Sequence, residues 1–585
     1  MKARSTLVGL AASVVVLLGA HDAFAQDRSA NPAFEALAKS YIEKLLEMEP
    51  ERATWLGDHR FDDRLDDYTK EGVKRSRALS AETLKALDAI PAERLSVVNS
   101  IDYRILHTRL ESAIFRADEI REHEWNPLVY NIAGAIYELI ARDFAPLEVR
   151  LRSAAGRLKQ VPEVVAAAKA NLSRPPRIHT ETAIRQNKGA IGFIRDELGA
   201  ELAKAPELKT QFEPAQKAAI AALEDYGRWL ETDLLARSDG EFRLGEARYR
   251  RKLAFDLDSD MPMEEILRRA QADLKRAHQE LYKVARPLYQ KYFPEKQDAA
   301  LLADEKGVIK AVFDRLAAER PTNDTIVALA GDSLARTTRF VREKQLVSVP
   351  DEPVKTIVMP EFDRGVAVAY CRSAPPLDPK AETFYAISPT PSDWAPARVE
   401  SFFREYNNYM VEDLTIHEAM PGHYLQLVHA GKFKAPTLVR NVFWNGPFIE
   451  GWAVYSEQLM ADAGYGGPEV KMQQLKMRAR AIINAIMDQK IHTAGMTEQE
   501  AMRLMREEGF QEEGEAAGKW RRAVMSSAQL STYYVGYLGV SDIRRDAEAK
   551  AKGRIQLRSL HDAMLSFGSP APKYVREMLG LAIDR

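Results

Sequence analysis

Leu414-Thr415-Ile416-His417-Glu418-Ala419-Met420-Pro421-Gly422-His423-Tyr424-Leu425-Gln426 is the stretch on which the reading of this chain turns. A helix carrying His-Glu-x-x-His turns two imidazoles to one side and sets a glutamate beside the ion they hold. Here the second histidine follows the first by six residues, not four. At about 100° per residue, four steps bring a side chain to within about 40° of its start, whereas six leave it about 120° away. An unbroken helix therefore cannot aim His417 and His423 at one ion. Pro421 lacks the N–H that would bond the carbonyl of His417, and Gly422 accepts dihedrals closed to other residues. If these two bulge out of the winding, His423 re-enters about where a fourth-position histidine would stand. The spacing predicts an interrupted helix with both imidazoles on one face; the rival is two unrelated histidines in a broken core helix.

Two histidines do not complete a catalytic zinc site, which usually takes three protein ligands and leaves a place for water. The next helical segment, Phe448-Ile449-Glu450-Gly451-Trp452-Ala453-Val454-Tyr455-Ser456-Glu457, carries two carboxylates seven residues apart on one face. Glu450 comes 27 residues after His423 (450 − 423), room for a turn and a returning helix. Gly451 beside it permits two helices to approach closely. Glu450 is favoured over Glu457 as the third ligand of a Zn2+ ion, with Glu457 the alternative. Glu457 is expected beside the ligands or against a substrate. Phe448, Ile449, Trp452 and Tyr455 argue that this is not a surface helix. Glu418, next to a ligand but not one itself, is the expected general base.

Upstream of the motif the pattern changes. Thr356-Ile357-Val358-Met359, Val366-Ala367-Val368-Ala369-Tyr370 and Thr383-Phe384-Tyr385-Ala386-Ile387 are short β-branched or aromatic runs, punctuated by Asp363-Arg364-Gly365 and Pro375-Pro376. They predict a small antiparallel sheet just before the metal helix. Elsewhere the chain is helical in period. Phe34 to Leu46, Met263 to Val284 and Val470 to His492 place apolar residues at three- and four-residue steps among charges, as solvent-backed amphipathic helices do. No segment looks like a domain linker, so residues 26–585 are expected to form one mainly α domain.

Composition bounds the rest. Of 585 residues 46% are hydrophobic, enough for a large core. Met1 is followed by Lys2 and Arg4, an apolar run from Leu7 to Ala20, and Ala23-Phe24-Ala25, the three parts of a secretory signal peptide. Cleavage after Ala25 would remove Lys2, Arg4 and Asp22, moving the net charge from −2 to −3. That balance gives no case for nucleic acid, and no later segment is apolar enough to span a membrane. A periplasmic location is expected. Cys371 is the only cysteine, so no intrachain disulfide forms and any metal falls to His and carboxylate.

Taken together, Thr54-Trp55-Leu56-Gly57-Asp58, His417 to His423, Glu450 to Glu457 and His561-Asp562-Ala563-Met564-Leu565 resemble the bacterial domain-of-unknown-function 885 family across nearly all of the mature chain. That family is similar to the helical zinc peptidases that include thimet-type oligopeptidases and angiotensin-converting enzyme. The resemblance implies a two-lobed helical shell around a deep channel, and short peptides as substrates. It also implies a tyrosine near the scissile carbonyl. Within Gln529-Leu530-Ser531-Thr532-Tyr533-Tyr534-Val535-Gly536, Tyr533 is the candidate, with Tyr534 and Tyr537 in reserve. Asn484, Asp488 and His492 share a helix face; the family often has arginine where Asn484 stands. His492 and His561 are possible transition-state donors, set against the plainer reading of satisfied interior histidines.

The expected activity is zinc-dependent hydrolysis of short peptides, with water activated by Glu418 and the oxyanion met by Tyr533. The strand bearing Phe384 and Tyr385 is a candidate to pair with an extended substrate. Two rivals remain at this stage: a zinc hydrolase of a non-peptide amide, and a catalytically inactive helical binding protein.

Overall fold

The computed structural model describes residues 28–296, 298–360, 364 and 368–581. The signal-peptide assignment and part of the second expected strand (Val366, Ala367) lie outside the described residues. The protein is mainly α with one small sheet. The expected amphipathic helices form as Asn31–Met48 (α1) and Met263–Tyr292 (α2). On α2 the buried positions Ile266, Ala270, Leu274, Ala277 and Leu281 recur every three or four residues, as one core-facing stripe requires.

Apolar side chains gather in separate clusters. One lies in the N-terminal part of the chain, around Leu151, Leu158, Phe193, Phe212 and Leu230. Another, in the C-terminal half, surrounds Tyr385, Ile416, Phe448 and Trp452. The Thr54–Asp58 motif is a joint between distant segments. Thr54 Oγ1 donates to Asp62 at 2.6 Å, and the Leu377 N–H donates to the carbonyl of Leu56 at 2.9 Å.

The sheet contains Val354–Val358 (β1), Ala369–Arg372 (β2) and Thr383–Ile387 (β3), in the order β1-β3-β2. It is mixed, not antiparallel: β3 runs parallel to β1 and antiparallel to β2. Period-two alternation specifies which face a side chain takes but not the direction of a neighbouring strand. The central place of β3 also removes it as a partner for substrate, because both its edges are already paired. Tyr385 is fully buried and its hydroxyl shares a hydrogen bond with Thr415 Oγ1 at 3.0 Å. It braces the helix that carries His417 from behind, at Thr415.

The C-terminal helices build the site: Asn408–Glu418 (α3), His423–Gly431 (α4), Gly446–Asp462 (α5), Gly467–Ala494 (α6), Glu513–Met525 (α7) and Ser531–Lys550 (α8). The side chains of Asn407 and Asn445 cap α3 and α5, accepting the first free N–H groups. Helix α6 departs from the expected solvent-backed type. Lys476, Arg478 and Arg480 are buried on it, and they pair with Glu405, Glu280 and Glu515. A run of charges with helical period is the same in sequence whether it faces water or a buried partner.

Helices α5 and α8 meet at two glycines. A Cβ on Gly451 would overlap the backbone of Gly536, and one on Gly536 would overlap the carbonyl of Pro447. Backbone cannot rotate away as a side chain can, so Gly451→Ala is expected to cost about 3 kcal/mol, at the upper end of overpacking penalties. Gly189→Ala, at an exposed helical site with nothing near the added methyl, should instead stabilise by about 0.5–1 kcal/mol. Urea denaturation of both variants checks the contrast; equal effects would remove the close approach as the cause.

Candidate metal centre

The interruption between α3 and α4 has a definite form. The Gly422 N–H donates to the carbonyl of Ile416 at 2.9 Å and the Leu425 N–H to that of Ala419 at 3.3 Å. Both bonds run from residue i to i−6 where a helix would use i−4, so the ladder continues past two extra residues. A Cβ at Gly422 would overlap the carbonyl oxygens of His417 and Ile416, so only glycine fits this passage. Trp452 Nε1 on α5 donates to the carbonyl of Pro421 at 2.8 Å, tying the bulge to the next helix.

This geometry brings the imidazoles together, with ring centroids 4.7 Å apart. Glu450 Oε2 stands 3.5 Å from His417 Nε2 and 3.4 Å from His423 Nε2. Ligands about 2.1 Å from a tetrahedral ion stand about 3.4 Å apart. The three residues form the metal-capable group, with donor atoms within 4.8 Å of one another. Glu450 Oε2 is buried and has no hydrogen-bond partner, an arrangement that is costly unless a cation meets it. Burial works against ionisation of Glu450, yet the two imidazoles hold its carboxyl well below the usual value. The donor set therefore fits zinc.

Glu457 belongs to the same cluster without joining the ligand group. Its Oε1 lies 2.6 Å from His417 Nδ1. A carboxylate accepts, so Nδ1 donates and Nε2 is left to face Glu450. This is the carboxylate–histidine pairing that orients metal-binding imidazoles. Burial disfavours a charged His417, but Glu450 and Glu457 overcome that and raise it well above the ordinary histidine value. The site thus draws positive charge to Nε2, as a proton or as a metal ion.

Glu418 points elsewhere. Its Oε2 accepts the N–H of Cys371 at 3.0 Å, on the edge of β2 not paired with β3. Burial raises its carboxyl above the usual value, and the neighbouring imidazoles only partly offset this. Glu418, His417, Glu457 and Tyr533 line one cavity, which has about 200 Å³ of room for water-sized molecules. The Tyr533 ring lies 6.5 Å from that of His417, and its hydroxyl oxygen accepts from Arg522 Nη2 at 2.9 Å. Burial and the charge of Glu450 raise the Tyr533 hydroxyl above its ordinary value, keeping it protonated.

The remaining candidates lie apart from this group. Tyr534 bonds Asp273 and Tyr537 bonds Gln458. Asp488 accepts from the N–H groups of Ala528 and Ser531 and from Ser531 Oγ, so it fixes the start of α8. His492 bonds the carbonyl of Ser526 and stacks on Tyr249. His561 is held between Tyr455 and the carbonyl of Leu346. His561 is a satisfied interior histidine; His492 is interior too, bonded through Nε2, while its Nδ1 is buried without a hydrogen-bond partner. Asn484 does line the cavity. The sequence reading missed Arg398, Arg480, Lys519 and Arg522, which line it too. The signal available was Glu515, Gly518, Lys519 and Arg522 at helical steps, with the glycines 514 and 518 leaving space on that face.

The family described as bacterial proteins of unknown function (DUF885) matches residues 50–579. A solved structure of a candidate lipoprotein of unknown function from Shewanella oneidensis is similar at 32% identity and TM-score 0.79, covering 93% of this chain and 99% of that one. A candidate lipoprotein from Colwellia psychrerythraea shares the fold at 16% identity and TM-score 0.74, covering 95% of this chain and 100% of that one. No curated protein matches the chain significantly in sequence.

Deleting Pro421 and Gly422 tests the two-residue bulge. The Leu425 N–H already spans the pair to reach Ala419, so the deletion variant, though it loses the bonds of Gly422 itself, should fold with α4 in its present register. It should lose about 1–3 kcal/mol through the unpaired Trp452 indole. Thermal melts and amide hydrogen exchange read both effects; an unfolded product would mean that the pair belongs to the helical winding.

Proposed function

The chain belongs to the DUF885 family of bacterial proteins of unknown function, and we propose that this member hydrolyses short peptides with a zinc ion held by His417, His423 and Glu450. The observation that carries the reading is the orphaned, buried Glu450 Oε2 set 3.4 and 3.5 Å from two imidazole nitrogens, with Glu418, a glutamate outside the ligand group, one residue from the first. A structural ion has no need of such a base. Bound there, zinc would supply a Lewis acid for the scissile carbonyl and lower the pKa of water.

The protein's own groups do the rest. The Cys371 N–H holds Glu418 Oε2, which leaves Oε1 to take the proton from water and pass it to the departing amine. Its raised pKa suits a group that must hold that proton between the two steps. Tyr533 accepts from Arg522, so its own hydrogen is free to meet the oxyanion as charge develops. The strand beside the site is β2, not β3, and its outward edge can align an extended backbone with Glu418.

Export is supported from two sides. The leader has the charge and apolar pattern of a signal peptide, and the similar solved structures are candidate lipoproteins. No described helix is long and apolar enough to cross a membrane.

A peptide-library digest by the purified, zinc-loaded protein tests the activity, and a screen of non-peptide amides separates the nearest rival. Elemental analysis should find a single equivalent of zinc, lost in His417→Ala, His423→Ala and Glu450→Ala. Glu457→Gln should retain the site with affinity lower by about 10–100-fold. Full occupancy in Glu450→Ala would exclude the ligand set.

Glu418→Gln should keep metal and fold but lose nearly all turnover, since an amide cannot accept the proton. Tyr533→Phe should lower kcat by about 10²–10³ with little change in KM. Undiminished kcat in that variant would move the oxyanion donor elsewhere.

A further inference from the structure

The cavity has a second wall, opposite in character to the metal wall. Helix α7 turns Glu515, Lys519 and Arg522 toward it, α6 adds Arg480, and Arg398 stands at its mouth with its guanidinium 3.6 Å from the Trp394 ring centre. Glu405 and Glu515 are the carboxylates on this side, and both are committed. Glu405 takes Lys476 at 2.9 Å, Arg480 at 3.4 Å and the Glu512 N–H at 2.8 Å. Glu515 takes Arg480 and the hydroxyl of Tyr406. Four cations (Arg398, Arg480, Lys519 and Arg522) therefore line this side with two carboxylates that are already engaged.

Three of these cations lack a close counterion. Among the described residues, Arg522 pairs with no carboxylate; its Nη2 donates to the neutral Gln529 and Tyr533 at 2.8 and 2.9 Å. Arg398 pairs with no carboxylate either. Lys519 reaches only 3.9 Å from Glu515, with a side chain 10% exposed. The carboxylates around the imidazoles do not serve these cations: Glu450 Oε2 faces the two imidazoles at 3.4 and 3.5 Å, Glu457 bonds His417, and Glu418 bonds the Cys371 N–H. Arg398 stays exposed, but Lys519 and Arg522 are largely withdrawn from water, which is costly unless an anion meets them. Burial and the adjacent Arg480 push the Lys519 ammonium down to about 7, which shows how poorly its charge is compensated. There is also room for a ligand, since a Cβ added at Gly518, beside Lys519, would meet nothing within 4 Å.

We propose that Lys519, Arg522 and Arg398 form a carboxylate-binding subsite that anchors one end of a short peptide across the cavity from His417 and Glu418. The ligand's identity as a peptide rests on the hydrolase reading above. A guanidinium fork and an ammonium together match a planar carboxylate. The source of that carboxylate in a short peptide is its free C-terminus or an acidic side chain near it. The former makes the protein act from the C-terminal end of its substrates.

Binding decides this independently of turnover. Calorimetry on the full-length, zinc-loaded Glu418→Gln protein compares trialanine, trialanine amide and an amidated Ala-Ala-Glu peptide. The free acid should bind roughly 10- to 100-fold more tightly than the amide, the range for a hydrogen bond to a charged group. Lys519→Met should bring that ratio close to one while leaving amide binding unchanged. Arg398→Met, at an exposed position, should reduce the ratio severalfold without threatening the fold. Acid-like affinity in the amidated Glu peptide assigns the subsite to an acidic side chain. Equal binding of all three peptides, or an acid preference untouched in both variants, overturns the subsite. A wild-type protein that shows the acid preference but cleaves no peptide keeps the subsite and removes the hydrolase reading.

Discussion

The arrangement depends on how one imidazole is held. His417 is gripped at Nδ1 by Glu457 at 2.6 Å, while its Nε2 faces Glu450 at 3.5 Å. Both glutamates come from α5, seven residues and therefore about two turns apart. A ring held at one nitrogen by a buried carboxylate has one tautomer and one orientation, so the lone pair at the other nitrogen has a fixed direction. That demand sets the distance between α3 and α5. The indole of Trp452, donating to the carbonyl of Pro421, sets it a second time from the far side of the helix break.

Further constraints follow along the chain. Next to Glu450, α5 lies directly against α8, backbone to backbone, at Gly451 and Gly536. The close crossing draws α8 inward at the level of the site. Tyr533, three residues before Gly536, is thereby carried to the His417 ring, and Arg522 with it through the bond to the tyrosine hydroxyl. The oxyanion candidate is thus positioned by a backbone contact between two glycines, not by any feature of the tyrosine itself.

What could be read from the sequence follows the same division between local and long-range causes. The break at Pro421-Gly422, the shared face of Glu450 and Glu457 and the helical character of most of the chain are encoded within a few turns, where periodicity and proline chemistry act. Pairing is not. The direction of β1 against β3 is set by the connection between them, and Tyr385 is central because of where two other strands lie. The charges on α6 misled for a related reason. Lys476 and Arg480 have the spacing of a solvated face, but Glu405 and Glu515, far away in sequence, draw them inside. His561 belongs with them, because only tertiary neighbours reveal that both its ring nitrogens are already used.

Those buried charges bear on what the fold is arranged to do. Desolvating an ion pair costs about as much as the pairing returns, and an apolar replacement of the same volume is often as stable. Holding Lys476, Arg480, Glu405 and Glu515 inside is therefore no efficient route to stability. Its effect is to give the cavity two walls of opposite character, with carboxylates and imidazoles on one side and ammonium and guanidinium groups on the other. A void lined by mobile, solvated charges would screen itself. Charges fixed by helices and locked by buried partners keep their field directed into the space between them, and reorganise little when a polar ligand enters. The ion-pair network behind the cavity and the grip of Glu457 on His417 are in this sense the same device: a buried partner spent on orientation, so that the group in front is ready for something that is not part of the chain.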